Sequence, residues 1–216
     1  GEDGPHQDDL PGMHGTFVDQ GVTCEGCHGP GSAHVGSPTA ANINGSPAAM
    51  TCGQCHTRGG DFAVIPAKGG LIRHHEQYQE LMWGPHGKLG CGGCHDAHSS
   101  SKYDDEAPGD GVRTSCTDCH ADMAEHSHKA KGATCVKCHM AKVVKSATSQ
   151  TIGSLTYGDI SNHIFRLNTE PGASLTYTNE EGAELAQDVP ASFACIQCHD
   201  DKDEAWVLDG VSAIHP

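Results

Sequence analysis

Every cysteine in the chain is paired with another three positions on, and every pair is followed at once by a histidine. The six units are Cys24/Cys27/His28, Cys52/Cys55/His56, Cys91/Cys94/His95, Cys116/Cys119/His120, Cys135/Cys138/His139 and Cys195/Cys198/His199. They use all 12 cysteines, so none is left over. Cys-x-x-Cys-His is the attachment signature of c-type haem. Two thiols add across the porphyrin vinyl groups as thioethers, and the adjacent histidine becomes the proximal ligand of the iron. The residue order is a geometric demand, since two anchors and a ligand must leave one short turn together. The expected cofactor is therefore six haem c groups, each holding one iron.

Disulfide frameworks and structural zinc also use spaced cysteines. Neither requires histidine directly after each second cysteine. With 17 histidines in 216 residues, chance does not place one there six times out of six.

The remaining histidines supply a second signal. Beyond the motif residues there are His6, His14, His34, His74, His75, His86, His98, His126, His128, His163 and His215. Six irons need at most six distal ligands, so this excess predicts bis-His coordination, which gives low-spin iron at comparatively low potential. Methionine as sixth ligand would raise the potential, but Met13, Met50, Met82, Met123 and Met140 read as packing. His34 and His98 follow their motifs too closely to reach round their own haem and should serve a neighbour. His14, His86 and His128 precede motifs, and His163 stands alone in a haem-free segment. His75 competes with His74, and His126 with His128. His6 and His215 lie near the termini, where fraying is the default. Seven distal candidates result for six irons: His14, His34, His75, His86, His98, His128 and His163. One of them is therefore surplus, or it ligates a haem in another subunit.

The elements that must position these residues are meagre. Only 36% of the chain is hydrophobic and 5% aromatic, while Gly (28) and Pro (11) are abundant. Such a composition favours loops and cannot fill an ordinary core. The expected fold is a multihaem cytochrome c: mostly coil with short α-helices and little β, its core made by packed haems. One domain, 1–216, is expected. Residues 1–23 read as an acidic lead-in and 104–111 as a surface loop. The best helix candidate is 71–83, with Leu71, Tyr78 and Met82 on one face. Second and third short helices are expected over 120–131 and Asp200–Leu208. The long haem-free insertion, about 141–194, carries two Ser-Leu-Thr-Tyr runs that predict a small β-hairpin.

The formal charge of −15 argues against nucleic acid as a partner and leaves basic redox proteins open. No apolar stretch is long enough to span a membrane. Haem attachment takes place outside the cytoplasmic membrane, so a removed signal sequence and a periplasmic or extracellular location are expected.

Three segments carry a family resemblance. Residues 14–35 (HGTFVDQGVTCEGCHGPGSAHV), 74–98 (HHEQYQELMWGPHGKLGCGGCHDAH) and 135–168, which runs from CVKCHM to GDISNHIFRLN, resemble bacterial multihaem cytochromes c of respiratory electron transfer. The resemblance implies haems in an alternating chain of stacked and T-shaped pairs. It implies periplasmic or extracellular electron transfer to outside acceptors. It also implies, for some members of this size, homopolymeric filaments with a continuous haem chain. Three readings follow: electron conduction, in a filament or a discrete carrier; a subunit docking into an outer-membrane conduit; and a multihaem reductase with one open haem. Because all six motifs keep histidine and distal histidines are in excess, the expectation is that the chain is not an enzyme.

Overall fold

The computed structural model describes residues 22–57, 61–99 and 111–214. His6, His14 and His215, the 1–21 part of the lead-in and nearly all of the 104–111 loop lie outside the described residues. The chain divides into two compact units, Gly1–Thr51 and Cys52–Pro216.

In the first unit, helix α1 (Cys24–His28) is itself the first motif, and α2 (Ser32–Gly36) carries His34. Asn42 ties this helix to the loop beyond it. Its amide donates to the carbonyls of Ala33 and Ser37, at 3.2 and 2.9 Å, and its Oδ1 accepts from His34. Helix α3 (Ala49–Gly53) spans the point where the units join.

The second unit contains more β-structure than the composition led us to expect. Strands β1 (Ile65–Lys68) and β2 (Leu71–Arg73) precede helices α4 (Gln77–Trp83), α5 (Cys116–Cys119) and α6 (Cys135–His139). Then come β3 (Val144–Lys145), β4 (Gln150–Ile152), β5 (Leu155–Tyr157), β6 (Leu167–Asn168), β7 (Thr176–Thr178), β8 (Glu184–Ala186) and β9 (Val189–Pro190). Helices α7 (Ala191–Ile196) and α8 (Glu204–Gly210) close the unit. A five-stranded sheet runs β3-β2-β1-β8-β7, with β2 and β3 parallel and the other pairs antiparallel. Two small sheets pair β4 with β5 and β6 with β9.

The 71–83 helix is corrected to a strand followed by a helix. Leu71 and Ile72 are buried in β2, which is hydrogen-bonded on both sides, and helix begins only at Gln77. The turn before β2 is Gly69-Gly70, both at positive φ, which joins β1 to β2 as a two-residue hairpin. Glu184 on β8 locks it, accepting both glycine N–H groups at 2.7 Å. The 120–131 helix is replaced by two short 3-10 turns, Ala121–Met123 and Lys129–Lys131. The last helix starts later than expected because Asp203 caps it, accepting from the Trp206 N–H at 2.9 Å. The predicted hairpin is present as β4–β5, and the second Ser-Leu-Thr-Tyr run enters β7.

The core lies on this sheet and its flanks, built from Ile65, Leu71, Ile72, Val143, Val144, Tyr157, Ile164, Leu175, Val189 and Phe193. The alternating burial of Ile65 and Ala67 is the period-two signature of a half-covered strand. The sheet thus forms a conventional apolar nucleus of the second unit.

Candidate functional site

The local geometry of the motifs follows from one repeated hydrogen bond. In the second, third, fourth and sixth motifs the histidine N–H donates to the first cysteine's carbonyl, at 2.8 Å for His56, 2.9 Å for His95 and His120, and 3.0 Å for His199. The first and fifth motifs lie wholly within α1 and α6. All six therefore present two thiols and an imidazole from a single turn. None of the twelve cysteines is in a disulfide. Among the described residues, no cluster of three or more side chains is arranged to hold a metal ion by itself, as structural zinc would require.

Several imidazoles are held at Nδ1 by an oxygen acceptor, whereas the buried Nδ1 atoms of His86 and His163 have no hydrogen-bond partner. A ligating histidine commits Nδ1–H to an acceptor, which leaves the Nε2 lone pair for the metal. His28 Nδ1 donates to the Asn44 carbonyl at 2.5 Å, and the Asn44 N–H returns to the His28 carbonyl at 3.0 Å. His139 Nδ1 donates to the Phe165 carbonyl at 2.9 Å. His34 Nδ1 faces Asn42 Oδ1 at 3.0 Å and the Thr39 carbonyl at 3.2 Å. The ring of His128 meets the Ser127 hydroxyl at 3.0 Å.

Three motif histidines stand opposite a second imidazole. Ring centroids are 6.3 Å apart for His95 and His163, 5.8 Å for His120 and His86, and 6.1 Å for His199 and His128. Two imidazoles bound to opposite faces of one metal, at about 2 Å from metal to nitrogen, have centroids about 6 Å apart. Burial lowers the pKa of His163 to about 4, and burial followed by the neighbouring His120 and His139 lowers that of His86. His75 and His98 lie elsewhere. His75 is exposed, at φ +70°, with its ring edge-on to His74 at 4.8 Å. His98 is exposed, its Nδ1 3.5 Å from Asp96. His14 lies outside the described residues.

The thiols of successive motifs are neighbours. Burial pushes the Cys91 thiol up to about 11, and the adjoining Cys52 thiol pushes in the same direction. Burial followed by a neighbouring thiol likewise raises Cys94 (with Cys119), Cys116 (with Cys135) and Cys138 (with Cys198). The second to sixth motifs thus adjoin one another in sequence order. Cys27 is half-buried within α1, in the first unit, beside the exposed Cys24. Cys55 is exposed, and its N–H donates to the Cys52 carbonyl at 3.1 Å.

Exposed apolar side chains flank the motifs: Val22 before the first, Leu89 before the third, Met123 after the fourth and Trp206 against His199 at 4.9 Å. A large apolar disc beside each motif would cover them. The chemistry of the donors, the ring spacing and these uncovered apolar groups all fit haem c.

Sequence reasoning missed Glu76 and Glu80, both fully buried on or just before α4. Glu80 Oε2 accepts the His163 backbone N–H at 2.6 Å and lies 3.9 Å from His163 Nδ1. Burial, partly offset by that hydrogen bond, pushes its carboxyl up to about 8. The pair lies in the polar run Glu76-Gln77-Tyr78-Gln79-Glu80, which gives no sign of burial in the sequence.

Residues 112–214, which include the last three motifs, match the model of the family described as outer membrane cytochrome MtrC/MtrF-like, domains II/IV. No curated protein matches the chain. Among solved structures, the octahaem sulfite reductase MccA of Wolinella succinogenes, form II, is similar with a TM-score of 0.52 at 18% identity, over 82% of this chain. The chain spans 34% of the length of that structure. The fold is that of the multihaem cytochromes c. The expectation that the chain is not an enzyme is corrected here, because a solved structure sharing its fold is a reductase. The physical reason is plain: a histidine in every motif reports the proximal side alone, whereas catalysis depends on an open distal position.

Proposed function

We propose that this chain, a multihaem c-type cytochrome, carries six haems and passes electrons between them in the order of its motifs, from the second to the sixth. The observation that carries this is the adjacency of successive motif thiols, Cys52 with Cys91, Cys94 with Cys119, Cys116 with Cys135 and Cys138 with Cys198. When bound, each haem supplies an iron that alternates between ferric and ferrous. The chain's own residues do the rest. The cysteines fix position, and His28, His56, His95, His120, His139 and His199 hold the proximal side. His163, His86 and His128 hold the distal side opposite His95, His120 and His199. Hydrogen bonds from Nδ1 fix the tautomer and ring direction of His28 and His139. His34 has the same Nδ1 arrangement and is proposed as a further distal ligand, with His14, His75 and His98 as the remaining candidates.

A periplasmic or extracellular site of action is supported by the outer-membrane cytochrome match, and no helix among the described residues is long and apolar enough to cross a membrane. The partners are proposed to be redox proteins or extracellular acceptors, with a homopolymer as one form of delivery.

The array is tested by deleting its middle. Cys116→Ala with Cys119→Ala should remove the fourth haem while the flanking five remain. Protein-film voltammetry should then show slower exchange with the haems beyond the gap. Unchanged exchange kinetics in a variant shown to hold five haems would sink the ordered array.

A further inference from the structure

Phe165 has a backbone that its side chain does not favour. Its φ is +63°, a region that bulky residues avoid. Its neighbours impose this conformation. On one side, Asn162 is fully buried and donates to the Ala141 carbonyl at 2.8 Å while accepting the Ile164 N–H at 2.9 Å. The His163 N–H is held by Glu80, and the Ile164 carbonyl lies where Gly84 has no Cβ. On the other side, Arg166 donates to the Trp83 carbonyl at 3.2 Å and pairs with Asp188 at 3.1 Å. Residue 165 is fixed at both ends and takes up the mismatch.

That conformation lets one residue touch three of the proposed ligands. Its carbonyl accepts the Nδ1–H of His139, the proximal residue of the fifth motif. Its ring stands edge-on to His86, at 4.7 Å and 80°, and to His163, at 6.1 Å and 88°. His86 faces the fourth motif's histidine and His163 the third's. Strained backbone conformations persist where the surroundings over-determine them, and they concentrate at functional positions.

We infer that Phe165 is a positioning residue shared by three successive haem sites, fixing the ligand-plane angle at the third and fourth and the proximal hydrogen bond at the fifth. This rests on the reading of His86, His139 and His163 as iron ligands. The two contacts have separate consequences. An imidazole plane held by an aromatic edge sets the orientation of the iron's occupied orbitals, which low-temperature EPR reports as g-values. The carbonyl on Nδ1–H sets the basicity of the proximal ligand, which the midpoint potential reports.

Two variants of the holoprotein separate them. Glycine adopts positive φ without penalty, so Phe165→Gly keeps the carbonyl on His139 and removes the ring alone. It should change two of the low-spin EPR signals and leave the fifth-site potential at its wild-type value. A β-branched residue resists positive φ, so Phe165→Val should withdraw the carbonyl as well and shift three sites. His163→Ala serves as the control for the ligand reading. If it opens one haem to carbon monoxide while both Phe165 variants retain all wild-type g-values and potentials, the positioning role is refuted and the ligand reading stands. A uniform shift of every haem in both Phe165 variants, the sign of general loosening, also refutes the role. If His163→Ala binds no carbon monoxide, the ligand reading itself fails.

Discussion

Gly84→Ala should damage the haem sites from a position that touches no haem ligand. Gly84 closes α4, and a Cβ built there would lie 2.2 Å from the Ile164 carbonyl oxygen. Even to reach 3.0 Å, below which Cβ contacts do not occur, the backbone must retreat by at least 0.8 Å. The obstacle is backbone, so no side-chain rotation relieves it. Ile164 is fully buried and sits between His163 and Phe165, and it is tied to Asn162 and, through the His163 N–H, to Glu80. Overpacking of this kind costs about 3 kcal/mol, which for a chain of this size lowers Tm by roughly 6–12 °C. The displaced segment carries a proposed distal ligand, so part of the third site should become five-coordinate and bind carbon monoxide when reduced. Thermal melting followed in the Soret band, with a carbon monoxide difference spectrum on the same sample, reads both effects. A variant that melts with the wild type and takes up no additional carbon monoxide would refute the close approach and the role given to this segment.

Two further outcomes are expected from named side chains. His163→Ala should add one carbon monoxide per chain, a Soret change of about one sixth of the total haem, since one of six sites loses its distal ring; measured uptake equal to wild type removes His163 from the ligand set. Asp159 accepts the backbone N–H groups of Ser146, Ala147 and Thr148 at 2.7, 2.9 and 3.1 Å, and its carboxyl is held at about 2, chiefly by the Ser146 N–H. Its folded-state pKa lies below the ordinary 3.8, so its stabilisation is present above about pH 4 and is lost as pH falls towards 2. Asp159→Ala should therefore cost about 1 kcal/mol at neutral pH, allowing for partial exposure, and almost nothing near pH 2. A stability difference that is constant across that range would contradict the assignment.

The chemistry was more legible than the scaffold. A Cys-x-x-Cys-His turn is specified by local residues, so all six turns could be read directly from the sequence. The sheet was not, because its strands are two to four residues long and pair across large sequence distances, as β1 does with β8. Such short runs leave little periodicity to read, although the Gly69-Gly70 dipeptide between apolar runs was an available hairpin signal. Leu71–Arg73 was absorbed into a helical pattern because its apolar spacing suits either element, and tertiary pairing on both edges decided for strand. The reach of each distal histidine depends on long-range placement. His163 meets His95 across 68 positions, which spacing alone cannot predict. His98, read from its nearness to a motif as a ligand for a neighbouring haem, lies at the surface beside Asp96 and stays a candidate. Buried Glu80 was invisible because a carboxylate on an amphipathic stretch ordinarily faces water.

Covalent occupancy of all six cysteine pairs is the premise of electron transfer through this chain, and the mass of the intact, denatured protein tests it most directly. The polypeptide alone is 22.6 kDa, and the prediction is that mass plus six haem additions that survive denaturation. A mass at the bare polypeptide, or with any smaller number of additions, would contradict it.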